Sequence, residues 1–257
     1  MPMIQVITIP AFEDNYLWLL VNGASAAVVD PGDAQPILHY LEQHQLHLCA
    51  ILCTHHHPDH VGGIRELLAH YQVPVYGPAH ETIPGRTHGV VEGDCVRLPE
   101  LDLELSVIDV PGHTAGHVAY YGAELLFCGD TIFACGCGRL FEGTPQAMYQ
   151  SLSKLAKLPD TTQVYCAHEY TLDNIRFAKL VEPGNSDLLA REVQDRATRA
   201  QHLPTVPSSL ALEKRTNPFL RSHVPTVVQA AQHYAGSLLT EPWQVFATVR
   251  AWKDALD

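Results

Sequence analysis

The residues with the clearest chemical potential lie in one short segment, residues 54–60, which reads Thr-His-His-His-Pro-Asp-His. In an extended backbone the side chains of His55 and His57 project to one side, and that of His56 projects to the other. Imidazole nitrogens and carboxylate oxygens bind zinc, iron and manganese. Asp59 and His60 then lead the chain into a helix that we expect to begin near Val61. The segment therefore predicts a metal site.

Three more ligand-type residues each follow an apolar run that reads as a strand. They are His113, Asp130 and His168. Ligand sites in α/β folds collect at the carboxyl ends of strands. An isolated His pair is typical of a solvated turn, but the repeated placement favours metal binding. The set of five His and two Asp suffices for two metals that share one carboxylate.

Strand and helix patterns alternate through the first two-thirds of the chain. Strands are predicted at 4–9, 16–21, 26–29, 48–53, 103–110, 118–121, 125–128 and 164–166, with Asn22-Gly23 as a hairpin turn. Helices are predicted at 36–44, 61–71 and 146–158. From about residue 172 only helices are expected, at 172–181, 187–202, 224–235 and 241–255. We therefore predict an α/β domain over 1–171 and a helical domain over 172–257.

Composition excludes several classes of protein. The chain has 257 residues and a formal charge of −12, which argues against nucleic acid as the main partner. Hydrophobic residues make up 46% of the chain and charged residues 17%, so a real core is expected and disorder is excluded. There is no apolar run of the length that a membrane span needs and no signal-peptide pattern, and the odd number of Cys, 7, fits a reducing compartment. We expect a cytoplasmic protein.

These features resemble the metallo-β-lactamase superfamily, and in particular its glyoxalase II (hydroxyacylglutathione hydrolase) branch. The resemblance to that branch covers essentially the whole chain. It rests on the residues at 12–16, 137–143, 168–171, 182–185, 216–219 and 250–253. It implies an α/β fold, an αββα sandwich followed by a smaller all-helical C-terminal domain that binds glutathione.

The resemblance also implies residue roles and a reaction. His55, His57 and His113 would hold one metal, Asp59, His60 and His168 a second, and Asp130 would bridge the two. The metals would be two divalent ions, with zinc in first place and iron or manganese as alternatives. A metal-bridging hydroxide, oriented by Asp59, would hydrolyse S-(2-hydroxyacyl)glutathione to glutathione and a 2-hydroxy acid. This is the second step of methylglyoxal detoxification, typically with S-D-lactoylglutathione as substrate and D-lactate as product.

The same resemblance supplies the expected substrate contacts. Arg250 and Lys253 lie three apart on the last predicted helix and would hold the glycine carboxylate of glutathione. Arg139 and Tyr170 would contact the same substrate. Phe141 stands where some relatives have Tyr, so one hydroxyl contact is lost there. The glutathione thioester is the expected partner, with neither nucleic acid nor membrane, and a monomer is expected.

Other interpretations remain open at this point. One is a glutathione persulfide dioxygenase of the same superfamily, which uses a single iron. Another is a non-catalytic metal-binding domain, although no ligand position is lost. Cys135 and Cys137 form a C-x-C pair that is compatible with redox or metal chemistry, but the adjacent glycines favour a tight loop. His117 is assigned to structure.

Overall fold

The structure is a computed structural model and describes residues 4–256. The chain divides into two compact units. The first unit contains the described chain up to Asp109 together with Thr114–Gly129. The second unit contains Val110–His113 and the described chain from Asp130 onward.

One mixed sheet forms the larger part of the first unit. Its strands lie in the order β1-β2-β3-β4-β5-β6 and are β1 (Gln5–Ala11), β2 (Asn15–Asn22), β3 (Ser25–Val29), β4 (His47–Leu52), β5 (Val75–Pro78) and β6 (His88–Val90). The first three strands are antiparallel, and β3 to β6 pair in parallel. The predicted hairpin is confirmed, but its turn lies one residue later than expected: Asn22 pairs with Ser25, so Gly23 and Ala24 form the turn, and Gly23 has a φ of +59°. The short strands β5 and β6 were not predicted.

Helices cover one face of this sheet. They are α1 (Gln35–Gln43), α2 (Pro58–Val61) and α3 (Ile64–His70). Alternate strand residues such as Leu17 and Leu19 enter one buried cluster with Ile37 of α1 and Ile64 of α3. This is the burial pattern that the strand period of two requires.

The prediction of a single helix over 61–71 was wrong. The chain forms the one-turn helix α2 from Pro58 and then the separate helix α3. Gly63 lies at the break, where the backbone is crowded, because a Cβ there would lie 2.5 Å from the backbone nitrogen of Ala34. Asp59 and His60 therefore lie on helical backbone, one turn earlier than expected.

A second, antiparallel sheet completes the first unit. It contains β7 (Cys95–Leu98), β8 (Leu103–Asp109), β9 (Val118–Gly122) and β10 (Leu125–Gly129), paired in sequence order, and a short 3-10 helix (Pro99–Leu101) separates β7 from β8. The Tyr120 hydroxyl donates to the Cys53 carbonyl at the end of β4, at 2.9 Å. Within this unit the order of layers is therefore helices, first sheet, second sheet. The edge strand β7 was not predicted.

The second unit is mostly helical. Its helices are α4 (Pro145–Leu155), α5 (Thr171–Val181), α6 (Ser186–Ala200), α7 (Leu210–Thr216), α8 (Pro225–Ala235) and α9 (Pro242–Asp254), and a 3-10 helix spans Pro218–Leu220. Its strands are β11 (Ile132–Phe133), β12 (Gly136–Cys137), β13 (Gln163–Cys166) and β14 (Ser208–Ser209). The four predicted C-terminal helices are confirmed. The expectation that no strand follows residue 172 was wrong, since β14 pairs with β13.

None of the helices within residues 4–256 is both long enough and apolar enough to cross a membrane.

Candidate active site

The His-rich loop of the first unit brings its ligand-type atoms into close pairs. His55 Nε2 lies 3.1 Å from His57 Nδ1. His60 Nε2 lies 3.3 Å from an oxygen of Asp59. Two ligands about 2.0–2.1 Å from one tetrahedral metal lie roughly 3.3 Å from each other. Both pairs therefore have the spacing of two ligands on one metal ion.

A buried carboxylate supports this loop from behind. Asp30 accepts hydrogen bonds from the backbone nitrogen and the hydroxyl of Thr54, both at 2.7 Å. The same carboxylate lies 3.1 Å from His60 Nδ1, so it orients the ring and directs Nε2 toward Asp59. A metal-binding His usually pairs its other nitrogen in this way. Asn15 donates to Asp59 at 3.0 Å and orients the next ligand-type residue along the loop.

His56 has a different partner, as its opposite orientation predicts. Its Nδ1 lies 2.9 Å from Glu81, which also accepts hydrogen bonds from the Gly116 nitrogen at 3.0 Å and the Thr114 hydroxyl at 2.5 Å. His117 is fully buried and stacks on His55 at a ring distance of 4.6 Å. Both residues thus contribute to the supporting structure.

Asp130 in the second unit faces two histidines at once. Its Oδ2 lies 3.2 Å from His113 Nε2, and its Oδ1 lies 3.4 Å from His168 Nε2. His113 Nδ1 lies 2.9 Å from the Arg139 carbonyl, which orients its ring. A carboxylate with one oxygen directed at each of two histidines is chemically suited to bind two metal ions.

A cavity of about 430 Å³ opens beside this group within the second unit. It contains all five residues that the resemblance implied as substrate contacts, together with two of the ligand-type residues. The lining residues are His113, Asp130, Phe133, Cys137, Arg139, Phe141, Tyr170, Asp173, Arg250 and Lys253. Its volume lies within the range of small-molecule sites.

Three of the lining residues differ from one another in burial and in contacts. Arg250 is 2% exposed, donates to the Cys137 carbonyl at 2.9 Å and lies 2.9 Å from Asp254. Tyr170 stacks flat on His168, with ring centroids 4.7 Å apart. Phe141 is 64% exposed, and its ring meets the edge of His113 at 5.2 Å. Arg250 is thus a fixed cation in the wall, whereas Phe141 presents an apolar surface to solvent.

A buried ionic network holds the loop that carries Asp130 and part of the cavity wall. Glu213 accepts from the backbone nitrogen of Cys135 at 2.9 Å and pairs with Arg191 at 2.8 Å. Asn217 donates to the Gly136 carbonyl at 2.8 Å. Cys135 has a φ of +55°, which is rare for a residue with a side chain. Several buried contacts therefore fix a conformation that the local sequence disfavours.

The cysteines do not supply a nucleophile here. All seven are free thiols. Burial raises the pKa of Cys135 to about 12, in spite of the opposing charge of Arg191. Burial also raises the pKa of Cys137, again against nearby Arg250. Thiols with such pKa values stay protonated near neutral pH, so C-x-C is not a reactive pair.

Comparisons with known proteins agree on one family. Residues 12–168 match the model of the metallo-beta-lactamase superfamily, and residues 169–256 match that of the hydroxyacylglutathione hydrolase C-terminus. A relative from Nitrosomonas europaea named hydroxyacylglutathione hydrolase is 58% identical, over 98% of this chain and 96% of its own. The chain belongs to the hydroxyacylglutathione hydrolase family.

Solved structures are similar in fold at lower identity. ETHE1 from Myxococcus xanthus is 25% identical, with a TM-score of 0.66 over 98% of this chain and 99% of its own. TTHA1623, solved in a di-iron-bound form, is 27% identical, with a TM-score of 0.58 over 86% of this chain and 100% of its own. The metallo-β-lactamase fold and the α/β class predicted from the sequence are confirmed.

Membership of the hydroxyacylglutathione hydrolase family makes this chain a hydrolase with the metallo-β-lactamase fold, and its His and Asp groups indicate binuclear metal binding. Three supporting residues were missed from the sequence: Asn15, Asp30 and Glu81. Asp30 had a readable signal, because it follows the apolar run of β3 directly. Glu81 had none, since it lies in a loop far along the chain from its partners.

Proposed function

We propose that the protein hydrolyses S-(2-hydroxyacyl)glutathione, typically S-D-lactoylglutathione, to glutathione and a 2-hydroxy acid, as the second step of methylglyoxal detoxification. One observation carries the proposal: a single cavity contains Asp130 and His113 together with Arg139, Arg250 and Lys253. Such a cavity places cationic side chains, which attract an anionic tripeptide, beside residues that are suited to binding metal ions. Because the protein carries a charge of −12, these local cations matter for binding an anion.

The residues fit two divalent metals. We propose that His55, His57 and His113 hold one ion, that Asp59, His60 and His168 hold the other, and that Asp130 bridges them. The support is the donor chemistry of five imidazoles and two carboxylates, and spacings of 3.1–3.4 Å within four pairs of these residues. Zinc is proposed first, with iron or manganese as alternatives, because an oxygen and nitrogen set without thiolate accepts all three. When bound, the ions would supply Lewis-acid activation of water near neutral pH.

The chain's own side chains would bind and position the reactants. Arg250 and Lys253 would hold the glycine carboxylate, with Arg139 and Tyr170 along the glutathione backbone and Phe141 as an apolar contact. Asp59, oriented by Asn15, would accept a hydrogen bond from the attacking water and so direct it. A thiolate is a good leaving group, so the reaction needs neither a strong general acid nor a side-chain nucleophile.

The remaining parts of the proposal concern organisation. We propose that residues 1–171 form the metal-binding catalytic domain and residues 172–257 the glutathione-binding domain. We also propose a monomer that acts in the cytoplasm without nucleic acid or membrane partners. Seven free thiols support a reducing compartment. Size-exclusion chromatography with light scattering tests the monomer.

Metal content measured alongside S-D-lactoylglutathione hydrolysis tests the function directly. Saturation at two ions per chain, with hydrolysis that follows metal content, is the expected result. Saturation at one iron, with oxygen consumed on glutathione persulfide and no thioester cleavage, would replace this proposal with the dioxygenase.

A further inference from the structure

The substrate cavity is lined by more cationic than anionic side chains. Among the described residues that line it, three are cationic, namely Arg139, Arg250 and Lys253. Two are carboxylates, Asp130 and Asp173. Asp130 lies between His113 and His168 and is assigned above to the metals. Asp173 is therefore the lining carboxylate that the proposed reaction has not used.

Asp173 is placed beside a proposed glutathione contact. It lies in the first turn of α5, three residues after Tyr170. Residues three apart lie on the same face of a helix, so the Asp173 carboxylate and the Tyr170 ring border the same part of the cavity. Tyr170 itself stacks on His168. The ligand-type His168, the Tyr170 ring and Asp173 therefore follow one another outward along this side of the cavity.

The charges of the substrate complement this arrangement. A glutathione thioester carries two carboxylates and one ammonium group, the latter on the γ-glutamyl residue. The cations of the cavity suit the carboxylates but would repel the ammonium. We propose that Asp173 binds the γ-glutamyl ammonium and so makes the cavity selective for a glutathione thioester with a free amino group. This inference rests on the proposed hydrolase function and deepens it.

The present partner of Asp173 leaves room for this role. Its Oδ1 pairs with Arg176 one turn further along α5, and the two side chains are 69% and 77% exposed. An exposed pair of this kind contributes little to stability, so sharing the carboxylate costs little. A carboxylate has two oxygens and accepts several hydrogen bonds, which allows Arg176 and a substrate ammonium to bind together.

The test compares two substrates in two variants. The substrates are S-D-lactoylglutathione and the same thioester with its γ-glutamyl amine acetylated. Asp173→Asn should raise KM for the first by about two- to fivefold, the size of an exposed ion pair, and leave kcat nearly unchanged. KM for the acetylated substrate should change by less than the measurement error. High salt should reduce the effect of Asp173→Asn on the ratio of KM between the two substrates, because an exposed ion pair is screened.

Asp187→Asn is a matched control. Asp187 also lies in the first turn of a helix, α6, and pairs with an exposed Arg, Arg215. It should not change the ratio of KM between the two substrates. An equal change of that ratio in both variants would show a general field effect and would overturn the local contact.

Failure of this inference is distinguishable from failure of the function. If the wild-type protein cleaves neither thioester, the hydrolase proposal is at fault. If it cleaves both and Asp173→Asn shifts the two KM values equally or not at all, the hydrolase stands and the Asp173 assignment is overturned. Calorimetry with S-methylglutathione gives a second measurement, in which Asp173→Asn should weaken binding by the same two- to fivefold.

Discussion

Two loops contribute five of the seven ligand-type residues of this protein, and they are held by different means. The His-rich loop at 54–60 carries four of them, and its supports include Asn15, Asp30 and Glu81. The loop at 130–139 carries Asp130 and much of the cavity wall. It is held by Glu213, Asn217 and Arg250, which lie 78 to 113 residues along the chain from their partners in the loop.

The two loops differ in what sets the conformation of their ligand-type residues. In the first loop, alternation of side chains along a strand end already separates His55 and His57 from His56. In the second loop, a left-handed Cys135 and buried ion pairs set the backbone. Both loops have supports far along the chain, but alternation along the strand end already sets the side-chain directions of the first, so the two should respond differently to mutation.

The largest expected effect is the removal of the proposed bridge. Asp130→Ala should reduce turnover of S-D-lactoylglutathione by more than about a thousandfold and lower the metal content, because loss of a ligand exceeds the 10–100-fold cost of losing a ligand's partner. His56→Ala should cost only severalfold, because Glu81 keeps its other donors. Steady-state kinetics with elemental analysis measures both. Comparable losses would show that the orientation of the loop is wrongly assigned.

The buried network should matter next. Glu213→Gln should destabilise the protein by about 3 kcal/mol, since breaking a buried pair costs about 3–5 kcal/mol and Asp195 still compensates Arg191 in part. It should also raise KM, because the loop that carries the cavity wall loosens. Glu104→Gln is the control: its pair with Arg97 is 67% and 71% exposed and should contribute under about 1 kcal/mol. Urea denaturation would contradict the prediction if the two variants unfolded alike.

Asp30→Asn tests the support of the His-rich loop. The variant keeps the shape of the side chain but weakens its pairing with His60 Nδ1. Metal affinity should fall by about 10–100-fold, the usual cost of losing such a partner. Competition with a chelator measures this affinity. Asp33→Asn serves as control, since Asp33 accepts from the Gln35 backbone in an exposed turn, and retention of metal by both variants would exclude the role of Asp30.

The smallest effect is expected at the substrate end of the cavity. Lys253→Ala should raise KM for the glutathione thioester by about tenfold at nearly constant kcat and leave metal content intact, since this contact is made equally in ground and transition states. A small thioester without glutathione should be cleaved at an unchanged rate. Arg250→Ala should also raise KM. It removes contacts to Cys137 and Asp254, so the folded state of this variant should be less stable as well. Loss of kcat on both substrates at unchanged KM would contradict a role in glutathione binding.

Much of the fold followed from the sequence. The long apolar strands and the four C-terminal helices are local patterns with a strong period, and the structure confirms them, as it does the hairpin between β2 and β3. The short edge strands β6, β7 and β14 have too few residues to show a period. Pairing with a neighbouring strand defines them, and that pairing cannot be read from a local window.

For the candidate site, the sequence by itself determined which residues have the chemistry: five His and two Asp in segments that follow strands, and two cations one turn apart on the last helix. Residue type and spacing are local properties, so they are legible without a structure. Only the tertiary structure decided that Asp130 presents one oxygen to each of two histidines, and that Glu213 and Asn217 hold the backbone at Cys135 and Gly136. These contacts join residues far apart in the chain, and only packing of the folded elements brings them within hydrogen-bonding distance.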